Sequence, residues 1–141
     1  MRLLFAIPHY FDPEPAGGAE DRGGKHGSLR RDPRPRLAAL ASCIASLHQH
    51  FGPRQCVLDI ATRTALPAAQ DLAGEVDVLV CTTRGRHLLS DLPLPKGLWQ
   101  HHATRARAPL LGFEAQAALA ERLGIYDWYG YLEDEIGRAH V

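Results

Sequence analysis

Hydrophobic positions along the chain fall into blocks of different period, and each block predicts an element. Leu3–Ile7 is a continuous apolar run closed by Pro8, the pattern of a buried strand ending in a turn. From Phe11 to Arg31 the periodicity disappears among glycines and prolines, which predicts a long flexible loop. Asp32 and Pro33 then supply a helix start, and Pro35 still falls in the first turn, where no amide donor is needed. Leu37, Leu40, Ala41, Ile44, Leu47 and Phe51 follow at steps of three and four, giving one apolar helix face that Gly52 and Pro53 end. Val57–Ile60 and Val76–Cys81 are short β-branched runs that predict two further buried strands, with a short helix over Pro67–Ala73 between them. The stretch from Thr82 to Arg107 has no assignable period. Leu110–Leu123 predicts a second helix capped by Gly124, with Ala115, Ala118, Leu119 and Leu123 on one face. Tyr126–Leu132 predicts a fourth strand, Trp128 and Leu132 on one side and Tyr129 and Tyr131 on the other.

Strand, helix, two strands, helix and strand predict an α/β fold: a mostly parallel, Rossmann-like sheet of about four strands with helices on both faces. The expected order is third, second, first, fourth. The 141 residues suit one domain, and residues 1–135 are read as that domain. Sixteen basic and sixteen acidic residues cancel, so net charge offers no attraction to nucleic acid or an anionic membrane. No run approaches the roughly 18 apolar residues of a membrane span, so no transmembrane segment is expected. Cys43, Cys56 and Cys81 are widely spaced and form no Cys-x-x-Cys, which favours core thiols in a reducing cytoplasm over disulfides or zinc.

Residues 136–141, Ile-Gly-Arg-Ala-His-Val, read as the translation of a common sequencing-library adapter whose stop codon follows directly. They are expected to be non-native, with Glu135 straddling the junction. The natural protein is then expected to be longer, and the present chain to be an inactive front half.

The chemistry concentrates in Glu133-Asp134-Glu135, an acid triplet directly after the fourth strand. Carboxylates at alternate positions beyond a strand suit a hard cation such as Mn²⁺ or Mg²⁺, which stabilises charge on a leaving diphosphate. Three acids at a strand end also make an ordinary solvated turn. The other patterns are weaker. Gly18–Lys25 lacks the P-loop spacing, since Ala19 stands where glycine is needed and His26 follows Lys25. Lys25, Arg30, Arg31, Arg34 and Arg36 form a basic run, read as a solvated loop and helix start. Arg84 and Arg86, just past the third strand, stand where a donor would be reached, but loop arginines are usually just solvated. No Gly-x-Ser-x-Gly element supports a serine hydrolase.

Ile7-Pro8-His9-Tyr10 closing the first strand, and Gly112-Phe113 with Ala115–Ala120 leading into Tyr131-Leu132-Glu133-Asp134-Glu135, resemble the nucleotide-sugar half of GT-A glycosyltransferases. The resemblance spans most of residues 2–135. It implies transfer of a sugar from a nucleotide-diphosphosugar donor to an acceptor, assisted by Mn²⁺ or Mg²⁺. It further implies that Pro8 and Tyr10 line the base pocket, approached by Asp59 from the second strand. Glu133 and Glu135 would take the outer positions of an Asp-x-Asp element, Glu135 as direct metal ligand, with Asp134 able to substitute in either role. The rival expectation is a non-catalytic α/β nucleotide-binding or interaction module in which the triplet is only a turn.

Overall fold

The computed structural model describes residues 1–13, 32–52, 56–68 and 74–134, and every structural statement below concerns these. Most of the expected 11–31 loop, residues 69–73 of the expected short helix, Glu135 and the 136–141 tail lie outside them.

The protein is an α/β fold. Strand β1 (Arg2–Pro8) leads to helix α1 (Arg34–Phe51), a hairpin of β2 (Cys56–Asp59) and β3 (Thr64–Pro67), then β4 (Glu75–Thr83) and β5 (Gln100–Thr104). Helix α2 (Leu111–Ala120) and strand β6 (Trp128–Tyr131) follow. The main sheet runs β5-β4-β1-β6, and each of its three pairings is parallel. Parallel neighbours need crossovers, and these lay helices over both faces.

The period-2 alternation of the strands sorts the core into two layers. Ile7, Val78 and Val80 pack against Leu40, Ile44 and Leu47 of α1. Leu4, Ala6, Leu79 and Cys81 point the other way, against Leu111, Ala115 and Ala118 of α2. Small residues let α2 lie close to the sheet, so a Cβ on Gly112 would stand 2.9 Å from the Tyr131 hydroxyl. Strand β6 keeps the expected sidedness: Leu132 joins the α1 layer and Tyr129 the α2 layer. Helix α1 starts where Asp32 accepts the Arg34 amide at 3.0 Å, and it ends at Gly52. Helix α2 stops at Ala120, three residues short of the expected Leu123, whose side chain is exposed.

Two expectations for the sheet are corrected. Val57–Ile60 is not a buried strand. Cys56–Asp59 pairs antiparallel with Thr64–Pro67 in a separate hairpin, and Leu58 is 74% exposed. An apolar run of four residues carries no information about its partner, and a hairpin closed by four residues costs little loop entropy. The place beside β1 expected for this segment is taken by β4, and β5 adds the outer strand. β5 reads Gln-His-His-Ala-Thr, a polar edge with no hydrophobic alternation to announce it. Among the described residues no helix is long and apolar enough to cross a membrane.

Candidate functional site

Because all four strands of the main sheet run the same way, their carboxyl ends share one edge. The chain builds outward from β1 to β4 to β5, then returns to the other side of β1 for β6. That reversal puts a topological switch between β1 and β6, the place where open α/β sheets bind ligands.

A buried polar network closes the switch. His9 follows β1 and is fully buried, and Asp134 follows β6 and is 3% exposed. His9 Nδ1 lies 2.7 Å from Asp134 Oδ2, and Arg36 of α1 reaches Asp134 Oδ1 at 2.9 Å. The Leu88 amide donates to His9 Nε2 at 3.1 Å. An amide only donates, so Nε2 is the acceptor, Nδ1 carries the proton, and it is donated to Asp134. With Nε2 occupied by backbone, His9 is not a base toward a ligand. The network ties β1, β6, α1 and the segment after β4 into one unit.

Beside it stands Tyr10, partly buried against the α2 layer, whose hydroxyl donates to Asp12 Oδ2 at 3.3 Å. Burial first, and then the Asp12 carboxylate, push the Tyr10 hydroxyl up, while Arg86 and Arg84 pull it down. Pro8 sits at the last position of β1, in register with Cys81. Past β4, Thr82 Oγ1 meets His101 Nε2 at 2.6 Å, and Thr83 donates its hydroxyl to the Ala106 carbonyl. The rings of His87 and His101 meet edge-on with centroids 4.8 Å apart.

Burial, then His101 and His9, hold His87 below the ordinary histidine range, and burial followed by His102 does the same for His101. Between the lowered folded values and the ordinary one, the unfolded chain binds more protons, so stability rises with pH there. Stability is expected to fall as pH drops from about 6.5 through the lowered values. His101→Gln should flatten that slope in urea titrations run at several pH values; an unchanged slope would contradict this assignment.

Of the sequence-predicted residues, the structure brings Pro8, Tyr10, Glu133 and Asp134 to one edge. Glu133 is exposed, Asp134 points inward, and Glu135 lies outside the described residues. Asp59 is not in this group. It sits in the β2–β3 hairpin, where hydrogen bonds from Thr62 and Ala61 hold its carboxyl below the usual range. Among the described residues no group of three histidine, cysteine or acidic side chains is arranged to hold a metal ion. The cysteines divide: Cys81 is buried and pushed up to about 11 by desolvation, Cys43 is half-buried, and Cys56 is exposed rather than a core thiol.

Known protein families, curated proteins and solved structures were compared with this chain. None of them matches it. The site is therefore read from its own geometry. Sequence reasoning missed His9, Arg36 and the Leu88 amide. The signal was present in part, since Arg36 lies four residues before Leu40 on the buried stripe of α1, and His9 shares the sheet face of Ile7. A separate apolar groove of 310 Å³ lies against the β6 edge, lined by Leu3, Phe5, Phe51 and Trp128. Its one hydroxyl-bearing residue, Tyr129, spends that hydroxyl on the Arg122 carbonyl at 2.6 Å, which leaves the groove poor in chemistry.

Proposed function

We propose that the crevice between the carboxyl ends of β1 and β6 binds a nucleoside diphosphate, and that the chain is the nucleotide-sugar half of a glycosyltransferase of GT-A type. Its reaction would move a sugar from a nucleotide-diphosphosugar to an acceptor. One observation carries this reading: the strand order reverses between β1 and β6, and the His9–Asp134 bond draws the two strand ends together there. Tyr10 then offers a half-buried aromatic wall, and Glu133 an open carboxylate.

Glu133 suits a divalent cation and Asp134 does not, because both Asp134 oxygens are engaged by Arg36 and His9. On this reading Glu133, together with Glu135, would take Mn²⁺ or Mg²⁺, and Asp134 fixes the end of β6 from which Glu133 is presented. When bound, the ion offsets charge on the diphosphate leaving group. The chain's own residues position the nucleotide and keep the crevice floor rigid.

The same saturation of Asp134 favours a second reading, a non-catalytic nucleotide-binding or interaction module that needs no metal. Titration calorimetry with uridine diphosphate separates the two. The transferase reading predicts tighter binding with Mn²⁺ than with chelator, and loss of that difference in Glu133→Gln. Equal affinity in both conditions would overturn it and leave the module.

A further inference from the structure

We infer that Arg84 and Arg86, with Arg105 and Arg107 on the adjoining loop, form a binding site for a phosphoanion that needs no metal ion. This site does not depend on the proposed glycosyltransferase activity, and it lies over the ends of β4 and β5 rather than at the β6 acids.

The backbone holds the two arginine pairs together. After β4 the chain turns over Thr83–Arg86, closed by the Arg86 amide on the Thr83 carbonyl at 3.0 Å. Both central residues have positive φ, +53° at Arg84 and +69° at Gly85, a turn whose first position favours asparagine or glycine over arginine. The next loop is tied to this turn at three points. The Arg84 amide donates to the Thr104 carbonyl at 3.1 Å, Thr83 donates to the Ala106 carbonyl, and Arg84 Nε approaches the Arg105 carbonyl at 3.4 Å. Four exposed arginines thus issue from two neighbouring loops whose relative position is fixed.

Among the described residues, Asp12 is the carboxylate paired with this group, 3.9 Å from Arg86 Nε, and the Tyr10 hydroxyl shares the same oxygen. Arg84 and Arg86 both pull the Tyr10 hydroxyl down, so their charges reach the end of β1. Among the described residues, and in a chain of net charge zero, this is a local excess of positive charge. Guanidinium groups bind phosphoryl oxygens through paired N–H donors, and a ligand carrying two phosphoryl groups would satisfy both loops at once.

The test is calorimetric titration of the full chain with inorganic pyrophosphate and, separately, uridine diphosphate, in chelator at low salt. Both are expected to bind, more weakly as salt is added. Arg84→Ala/Arg86→Ala should weaken each by about tenfold or more. Arg63→Ala, which removes an exposed arginine from the β2–β3 turn, should change neither. Uridine diphosphate binding more tightly than pyrophosphate would identify a nucleotide as the source of the phosphoanion; equal affinity would identify phosphate recognition alone. Arg84→Gly guards against misfolding, because glycine accepts positive φ without strain. It should melt at or above the wild-type temperature and still lose affinity. No binding of either probe, or the same affinity in the arginine variants as in wild type, would overturn the site. Neither result would bear on the metal effect assigned to Glu133.

Discussion

Replacing Asp134 with alanine is expected to destabilise the protein by about 3–5 kcal/mol, because it removes a carboxylate partner from a nearly buried arginine and the acceptor of a fully buried histidine N–H. Arg36 is 10% exposed at its side chain and His9 is 0%, so water does not replace the lost carboxylate oxygens. A domain of this size has about 5–15 kcal/mol in total, so the variant should lose a large fraction of its stability in urea. Asp134→Asn should lie between the extremes, since an amide oxygen still accepts the His9 Nδ1 proton while the ion pair between Asp134 and Arg36 is lost. A loss in Asp134→Ala within about 1 kcal/mol, the range of exposed ion pairs, would mean the network is not closed as described.

The second large effect separates the sheet core from the hairpin. Leu40→Ala should cost about 2–5 kcal/mol, because Leu40 is 0% exposed between α1 and the sheet. Leu58→Ala should stay within about 0.5 kcal/mol, because that side chain is 74% exposed. The two residues are chemically identical and both stand in apolar runs, so the contrast reports where the chain puts them. A comparable loss at both positions would restore the buried second strand that the apolar run of Val57–Ile60 suggests.

What the sequence makes legible follows from period. Leu3–Ile7 and Val76–Cys81 are apolar on both faces because β1 and β4 are covered on both, and the 3.6-residue stripe of α1 matches its buried Leu40, Ile44 and Leu47. The switch between β1 and β6 is also legible, because the fourth strand has to return beside the first. Destination is less legible than type. Val57–Leu58 looks like core but pairs locally, while Gln100–Thr104 is polar and becomes a sheet edge through the parallel register of Val80 and His101. At the site, the acid triplet stands out by composition, yet composition does not say which acid faces inward. Extending the alternation of β6 from Leu132 places Asp134 on the α1 face, as it does for Ile7 and His9 on β1. Those two extensions and the Arg36–Leu40 step meet at one point, and only the packing of α1 on the sheet brings them into contact.

On the proposed function, a nucleoside diphosphate is held at the carboxyl ends of β1 and β6. The most direct measurement is residue-by-residue amide NMR during titration with uridine diphosphate and Mg²⁺. Shift changes are expected at His9, Tyr10 and Phe11 and at Leu132–Asp134, together with the Thr83–Arg86 turn of the arginine site, while Trp128, Phe51 and the Asp59 turn stay unmoved. Changes confined to the apolar groove or the β2–β3 hairpin, or no changes at saturating nucleotide, would contradict it.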